Sequence, residues 1–129
     1  MHISYPEPLN GDDYDSFVDA CSPEVRELLL YLRQSAQHAG AEVYLRRYKP
    51  RTGGGETFYA KGTWFCQFHP KPHAGHVMAL LRGVEAEALA TAGLSPTEDR
   101  TDGQLWFRLS SLHEAVRTVP LILQAFDAL

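Results

Sequence analysis

The chain has 129 residues, of which 44% are hydrophobic and 11% aromatic, enough to build one core and too few for two. Its formal net charge is −4, and its two cysteines, Cys21 and Cys66, are too few for a disulfide framework. No apolar run reaches the roughly eighteen residues of a membrane helix, and the opening MHISYPEPLNGDDYD is acidic where a signal peptide is basic. The composition therefore predicts one cytoplasmic domain, residues 1–129, with reduced thiols and no membrane partner.

Residues 1–11 hold Pro6, Pro8 and Gly11 without a sustained period and read as an extended N-terminal arm. Asp12, Asp13 and Asp15 then open a short helix through Ala20, with the acids at the positive end of its dipole. Ser22 as N-cap and Pro23 in the first helical position start a long helix over 23–39. Its apolar stripe is Val25, Leu28, Leu29, Leu32 and Ala36, and Gly40 stops it.

Beyond Gly40 the apolar period changes from helical to alternating. Strands are predicted at Glu42–Lys49, Glu56–Ala60, Thr63–Phe68, His76–Arg82 and Gln104–Leu109. Thr52 to Gly55 reads as a flexible hairpin tip, Lys61-Gly62 as a two-residue turn, and Pro70 to Gly75 as a stiff loop. The Lys61-Gly62 turn sets Phe58 opposite Phe65, Tyr59 opposite Trp64 and Thr57 opposite Cys66. A short helix from Val84 to Ala92 ends at Gly93, and Asp102-Gly103 forms a turn. Ser111 and Glu114 make a capping box for a terminal helix, in which Leu112, Ala115, Val116, Val119, Leu123 and Phe126 form the stripe. Pro120 is expected to kink or divide that helix near Val119.

Two amphipathic helices flanking an antiparallel meander are best buried side by side on one face of the sheet. The predicted fold is α+β, a two-layer sandwich with about five strands. Strict alternation assigns Val43, Leu45, Tyr59, Trp64, Cys66, Phe68, Val77, Ala79, Leu81, Leu105, Phe107 and Leu109 to the covered side. The open side then carries Tyr44, Arg46, Tyr48, Phe58, Phe65, Gln67, His76, Met78, Leu80, Arg82, Trp106 and Arg108.

Charge is distributed unevenly. Tyr31 to Arg82 holds eight bases and two acids, whereas residues 1–30 hold seven acids and one base. Arginines and aromatic rings on one open sheet face suit a polyanion, because rings stack on bases and guanidinium groups contact phosphate. The candidate ligand-binding residues are thus Arg46, Tyr48, Phe58, Phe65, Arg82, Trp106 and Arg108. The same surface also suits a homodimer interface.

Cys66, His69, His73 and His76 have residue types that bind zinc, but Cys66 and His69 are three apart on a strand and point to opposite faces. His69, His73 and His76 alone remain as a metal alternative, and no cofactor is expected. No nucleophile with a nearby base and no apolar carboxylate pair stands out, so the sequence points away from an enzyme.

The order of elements resembles two families of small bacterial proteins. From Ala60 to Leu109, the Lys61-Gly62 hairpin, the strand running into Leu81-Arg82-Gly83 and a short helix, and the Trp-containing strand Gly103–Leu109 resemble the MmcQ/YjbR family. That resemblance implies a double-wing DNA-binding protein. The stretch from His76-Val77 through Leu81-Arg82-Gly83 to the sheet end at Ser110 is similar to the YdhG-like family. This second resemblance implies a frataxin-like fold and iron binding, for which the acidic stretch Asp12 to Glu27 is the available surface. The sequence thus points to a non-catalytic module for nucleic acid or another polyanion, with an iron-binding protein and a homodimeric interaction domain as alternatives.

Overall fold

A computed structural model describes residues 11–97 and 103–129. The predicted arm lies outside the described residues except for Gly11, as does Asp102 of the predicted turn. The element order is α1 (Gly11–Asp19), α2 (Pro23–Ala39), β1 (Val43–Lys49), β2 (Gly53–Ala60), β3 (Thr63–Lys71), β4 (His76–Arg82), α3 (Ala86–Thr91), β5 (Gln104–Leu109) and α4 (Leu112–Asp127).

The strands form one antiparallel sheet in the order β1-β2-β3-β4-β5, a plain meander. Helices α2 and α4 pack against each other and against β3 and β4, while α1 lies over β1 and β2. Leu28, Leu29, Leu32, Phe58, Phe65, Phe68, Phe107 and Ile122 meet in one core between helices and sheet. The fold is thus the expected α+β sandwich, with its helices on one side. Among the described residues, no helix is long and apolar enough to cross a membrane.

Local chemistry explains the boundaries. The Ser22 hydroxyl accepts from the Val25 amide and begins α2. Ser111 accepts from the Glu114 amide, while the Glu114 carboxylate reaches back to the Ser110 amide, one residue beyond the usual capping-box partner. Lys61 and Gly62 both have positive φ, as a tight two-residue turn between twisted strands demands.

Three expectations are corrected. Pro120 does not divide α4, which runs unbroken from Leu112 to Asp127. Pro120 and Val116 both lie on the exposed side, where water can serve the carbonyl left without an amide donor. Pro70 is not in a loop but in β3, paired with Val77. The three glycines are not a hairpin tip either: Gly53, Gly54 and Gly55 pair with Lys49, Tyr48 and Arg47 as the start of β2. Lacking side chains, they admit rings that a Cβ would strike, Phe17 at Gly53, Tyr14 at Gly54 and His69 at Gly55.

Those glycines let α1 dock. The Glu56 carboxylate, wholly buried beneath this helix, accepts from Arg33 Nε at 2.5 Å, from Arg33 Nη2 at 2.9 Å and from the Tyr14 hydroxyl at 2.9 Å. Burial, together with the carboxylate beside it, pushes the Tyr14 phenol far above its ordinary range. The bond to Glu56 raises Arg33, so the pair is charged and mutually satisfied. Asp15 pairs with Arg46, and Phe17 lies against Tyr48 with ring centroids 5.6 Å apart.

Candidate functional site

The face opposite the helices is assembled row by row from the strand register. One row crosses the sheet as Leu45, Thr57, Gln67, Leu80 and Trp106. On one side of it Tyr59 pairs with Trp64, and the Arg82 guanidinium sits over the Trp64 ring, 4.7 Å from its centroid. On the other side lie Arg47 opposite Gly55, and His69, Met78 and Arg108 in register. Lys71 pairs with His76 at the end of the sheet. The face therefore carries Tyr59 and Trp64, with Arg82 over the latter, toward one end of the strands and most of its cations toward the other.

These placements revise the sequence assignment. Arg82, Trp106 and Arg108 stand on the helix-free face, as do Gln67, His76, Met78 and Leu80. Phe58 and Phe65 are wholly buried on the helix side, where Phe58 stacks with Tyr44 at 5.3 Å and Phe65 meets Phe126 edge-on at 5.7 Å. Arg46 and Tyr48 also face the helices and are engaged by Asp15 and Phe17. Conversely, Val43, Leu45, Tyr59 and Trp64, expected under the helices, lie on the helix-free side.

The cause is a β-bulge. Phe58 pairs with Cys66 and Tyr59 with Trp64, which leaves Phe65 as an extra residue in β3. Phe65, Cys66 and Phe68 consequently all enter the core, while Trp64 turns away from it. In β1 the apolar pair Val43 and Leu45 suggested the core side. The rings of Tyr44 and Tyr48 take that side instead, because α1, Glu56 and Arg33 supply both apolar and polar partners there.

A recess of about 580 Å³ lies on the helix-free face, within the size range of small-molecule sites. Tyr59, Trp64 and Trp106 line one part, Arg47, Lys49 and Lys71 another, and Thr57, Gln67, His69 and Met78 lie between them. His69 Nε2 donates to Gln67 Oε1 at 3.0 Å. Burial, helped by the charge of Lys71, lowers the His69 pKa to about 4, so the ring is neutral at physiological pH. Burial first, and then Arg108 and Lys71, lower that of His76, with the Ala74 backbone opposing. The Arg47 Nε is buried and has no hydrogen-bond acceptor among the described residues.

A second recess of about 530 Å³ adjoins the first through Thr52, Gly53 and Lys71. It is walled by Phe17, Tyr48, Pro70 and Pro72, with Arg51, His73 and His76 around it. His69, His73 and His76 are not brought together as a ligand set. Among the described residues, no group of three or more His, Cys, Asp or Glu side chains is arranged to hold a metal ion. Cys66 is sealed in the core, where burial pushes its thiol up well above the usual value.

The recess residues that sequence reading missed are Arg47, Lys49, Tyr59, Trp64 and Lys71. The available signal was the glycine run itself, since consecutive small residues within a strand mark where large groups on neighbouring elements approach. Comparison with protein-family models, curated proteins and solved structures yields no match to this chain.

Proposed function

We propose that this protein is a non-catalytic binding module for single-stranded nucleic acid, which it holds on the helix-free face of the sheet. The observation that carries this reading is the sorting of charge. Arg47, Lys49, Lys71, Arg82 and Arg108 share that face, and none is ion-paired among the described residues. The one carboxylate in the five strands, Glu56, points to the other side and is consumed by Arg33 and Tyr14. In a chain of net charge −4, the strands among the described residues thus present no acid on this surface.

The aromatic side chains choose among polyanions. Tyr59, Trp64 and Trp106 offer flat apolar surfaces beside the cations, and bases stack on such rings only when unpaired. Among the described residues, the large exposed apolar side chains, Leu30, Leu112, Val116 and Leu123, all belong to the helix layer, so cations and rings set the character of the sheet face. The resemblance in element order to the double-wing family points to the same ligand class.

Fluorescence anisotropy with end-labelled single-stranded and duplex DNA of equal length tests the reading. Binding at low salt that favours the single strand and weakens as salt rises is expected. Equal, weak binding of both forms, or none, would remove it.

A further inference from the structure

Resting on that reading, we infer that the recess between the aromatic and cationic parts of the face is a base-reading pocket for one nucleotide. Its base lies against Tyr59, Trp64 and Trp106, its edge meets the amide of Gln67, and its phosphate lies toward Arg47, Lys49 and Lys71.

The recess has the two-ended character of a nucleotide, with Tyr59 and Trp64 at one end, Trp106 in the central row and the cations at the other end. The stretch from Tyr59 to Gly55, beside Arg47, covers four residues of extended chain, about 13 Å. The side chains at the two ends line the same recess. A polymer tracking across the sheet would need only scattered rings and charges, whereas this recess of about 580 Å³ gathers rings, cations and a polar centre in one hollow.

That centre has a fixed hydrogen-bond polarity. His69 is neutral, and its Nε2–H donates to Gln67 Oε1. The Gln67 carbonyl is therefore occupied, and its NH2 group, without a partner among the described residues, faces the recess as a donor. The Thr57 hydroxyl stands beside it, opposite Gln67 in the register. Gly55 leaves the room in which the His69 ring lies, so the orientation is built into the strands. A donor held this way meets an acceptor on the base edge, a ring nitrogen or an exocyclic oxygen, whose position differs among the four bases. At the cationic end, Arg47 lines the recess with Lys49 and Lys71, and the amino groups of its guanidinium suit a phosphate oxygen there.

Calorimetric titration of the full chain with the four nucleoside 5′-monophosphates, and with inorganic phosphate, tests the pocket. Saturable binding is expected, with at least a threefold spread among the four bases. In Gln67→Leu that spread should collapse to less than twofold while phosphate binding is unchanged. In Arg47→Gln all four nucleotides should weaken by about tenfold. Circular dichroism checks that each variant is folded, and Gln67→Glu, which replaces the donor by acceptors, should change the order of preference even if Gln67→Leu fails to fold. The inference is overturned if no monophosphate binds, or if the base preference survives in the Gln67 variants. If single-stranded DNA still binds in either case, the nucleic-acid reading stands and the pocket alone is lost. If neither free nucleotides nor strands bind, both fall.

Discussion

Gly55 and His69 occupy facing positions on β2 and β3, so close that a Cβ on Gly55 would overlap the imidazole ring. His69 thereby lies low in the sheet face and reaches Gln67. Gly55→Ala is expected to cost about 1–3 kcal/mol through overpacking, measured by urea denaturation. In a His69→Ala background the same substitution should cost much less, because the ring it strikes has gone. Equal costs in both backgrounds would show that the two residues are not coupled.

The neutral state of His69 has a sign that can be measured. Its folded pKa, about 4, lies below the value near 6.5 of an exposed imidazole. Between these values the unfolded chain binds a proton that the folded chain refuses, so stability falls as pH is lowered from about 6.5 towards 4. The loss from this one group is at most about 3 kcal/mol. Urea titrations from pH 7 to pH 4 should show a visibly shallower fall for His69→Asn than for the unaltered chain. Parallel curves would mean that the histidine is not desolvated.

Arg33, Glu56 and Tyr14 form the polar pin between the sheet and the first two helices. Arg33→Leu leaves the buried carboxylate without its cation and is expected to destabilise by about 3–5 kcal/mol. Tyr14→Phe removes one donor while the guanidinium remains, and about 1–3 kcal/mol is expected. The order of the two denaturation midpoints checks the assignment: Tyr14→Phe as the more damaging change would contradict it.

Cys21 and Cys66 are both buried, and burial raises both thiols. Native protein should therefore react slowly with a thiol reagent, Cys66 more slowly than Cys21, which sits nearer the surface on the α1–α2 turn. Both should react fully in denaturant. Rapid native labelling of Cys66 would mean that the centre of the sheet opens.

Helix boundaries, strand order and the single-sided helix layer were legible because each rests on local chemistry: a Ser22 cap, a Lys61-Gly62 turn, and the α2 stripe. The α4 stripe was not, since Leu112, Val116 and Leu123 are exposed while Thr118, Leu121, Ile122 and Ala125 join Ala115 in the core. The site was only half legible. Arg82, Trp106 and Arg108 follow simple alternation along β4 and β5 and were placed correctly. Arg46, Tyr48, Phe58 and Phe65 were not: one extra residue at Phe65 leaves Cys66, Gln67 and Phe68 on their expected sides but reverses Trp64 and Phe65 and, across the turn, Tyr59 and Phe58. The side taken by β1 depends on a distant partner, α1, which reaches the sheet through glycines that look like a loop. Such a choice is settled by tertiary packing and not by the strand's own pattern.

The central claim is that a single strand lies on the helix-free face, and the chain carries its own reporter there. Both of its tryptophans, Trp64 and Trp106, line the recess. Titrating the protein with unlabelled single-stranded DNA at low salt while following tryptophan emission is therefore the most direct measurement. The account predicts saturable quenching that is reversed by added salt and strongly reduced in a combined Arg47→Gln, Arg82→Gln and Arg108→Gln variant. Binding detected by other means while both tryptophans stay silent would place the ligand elsewhere and contradict the account.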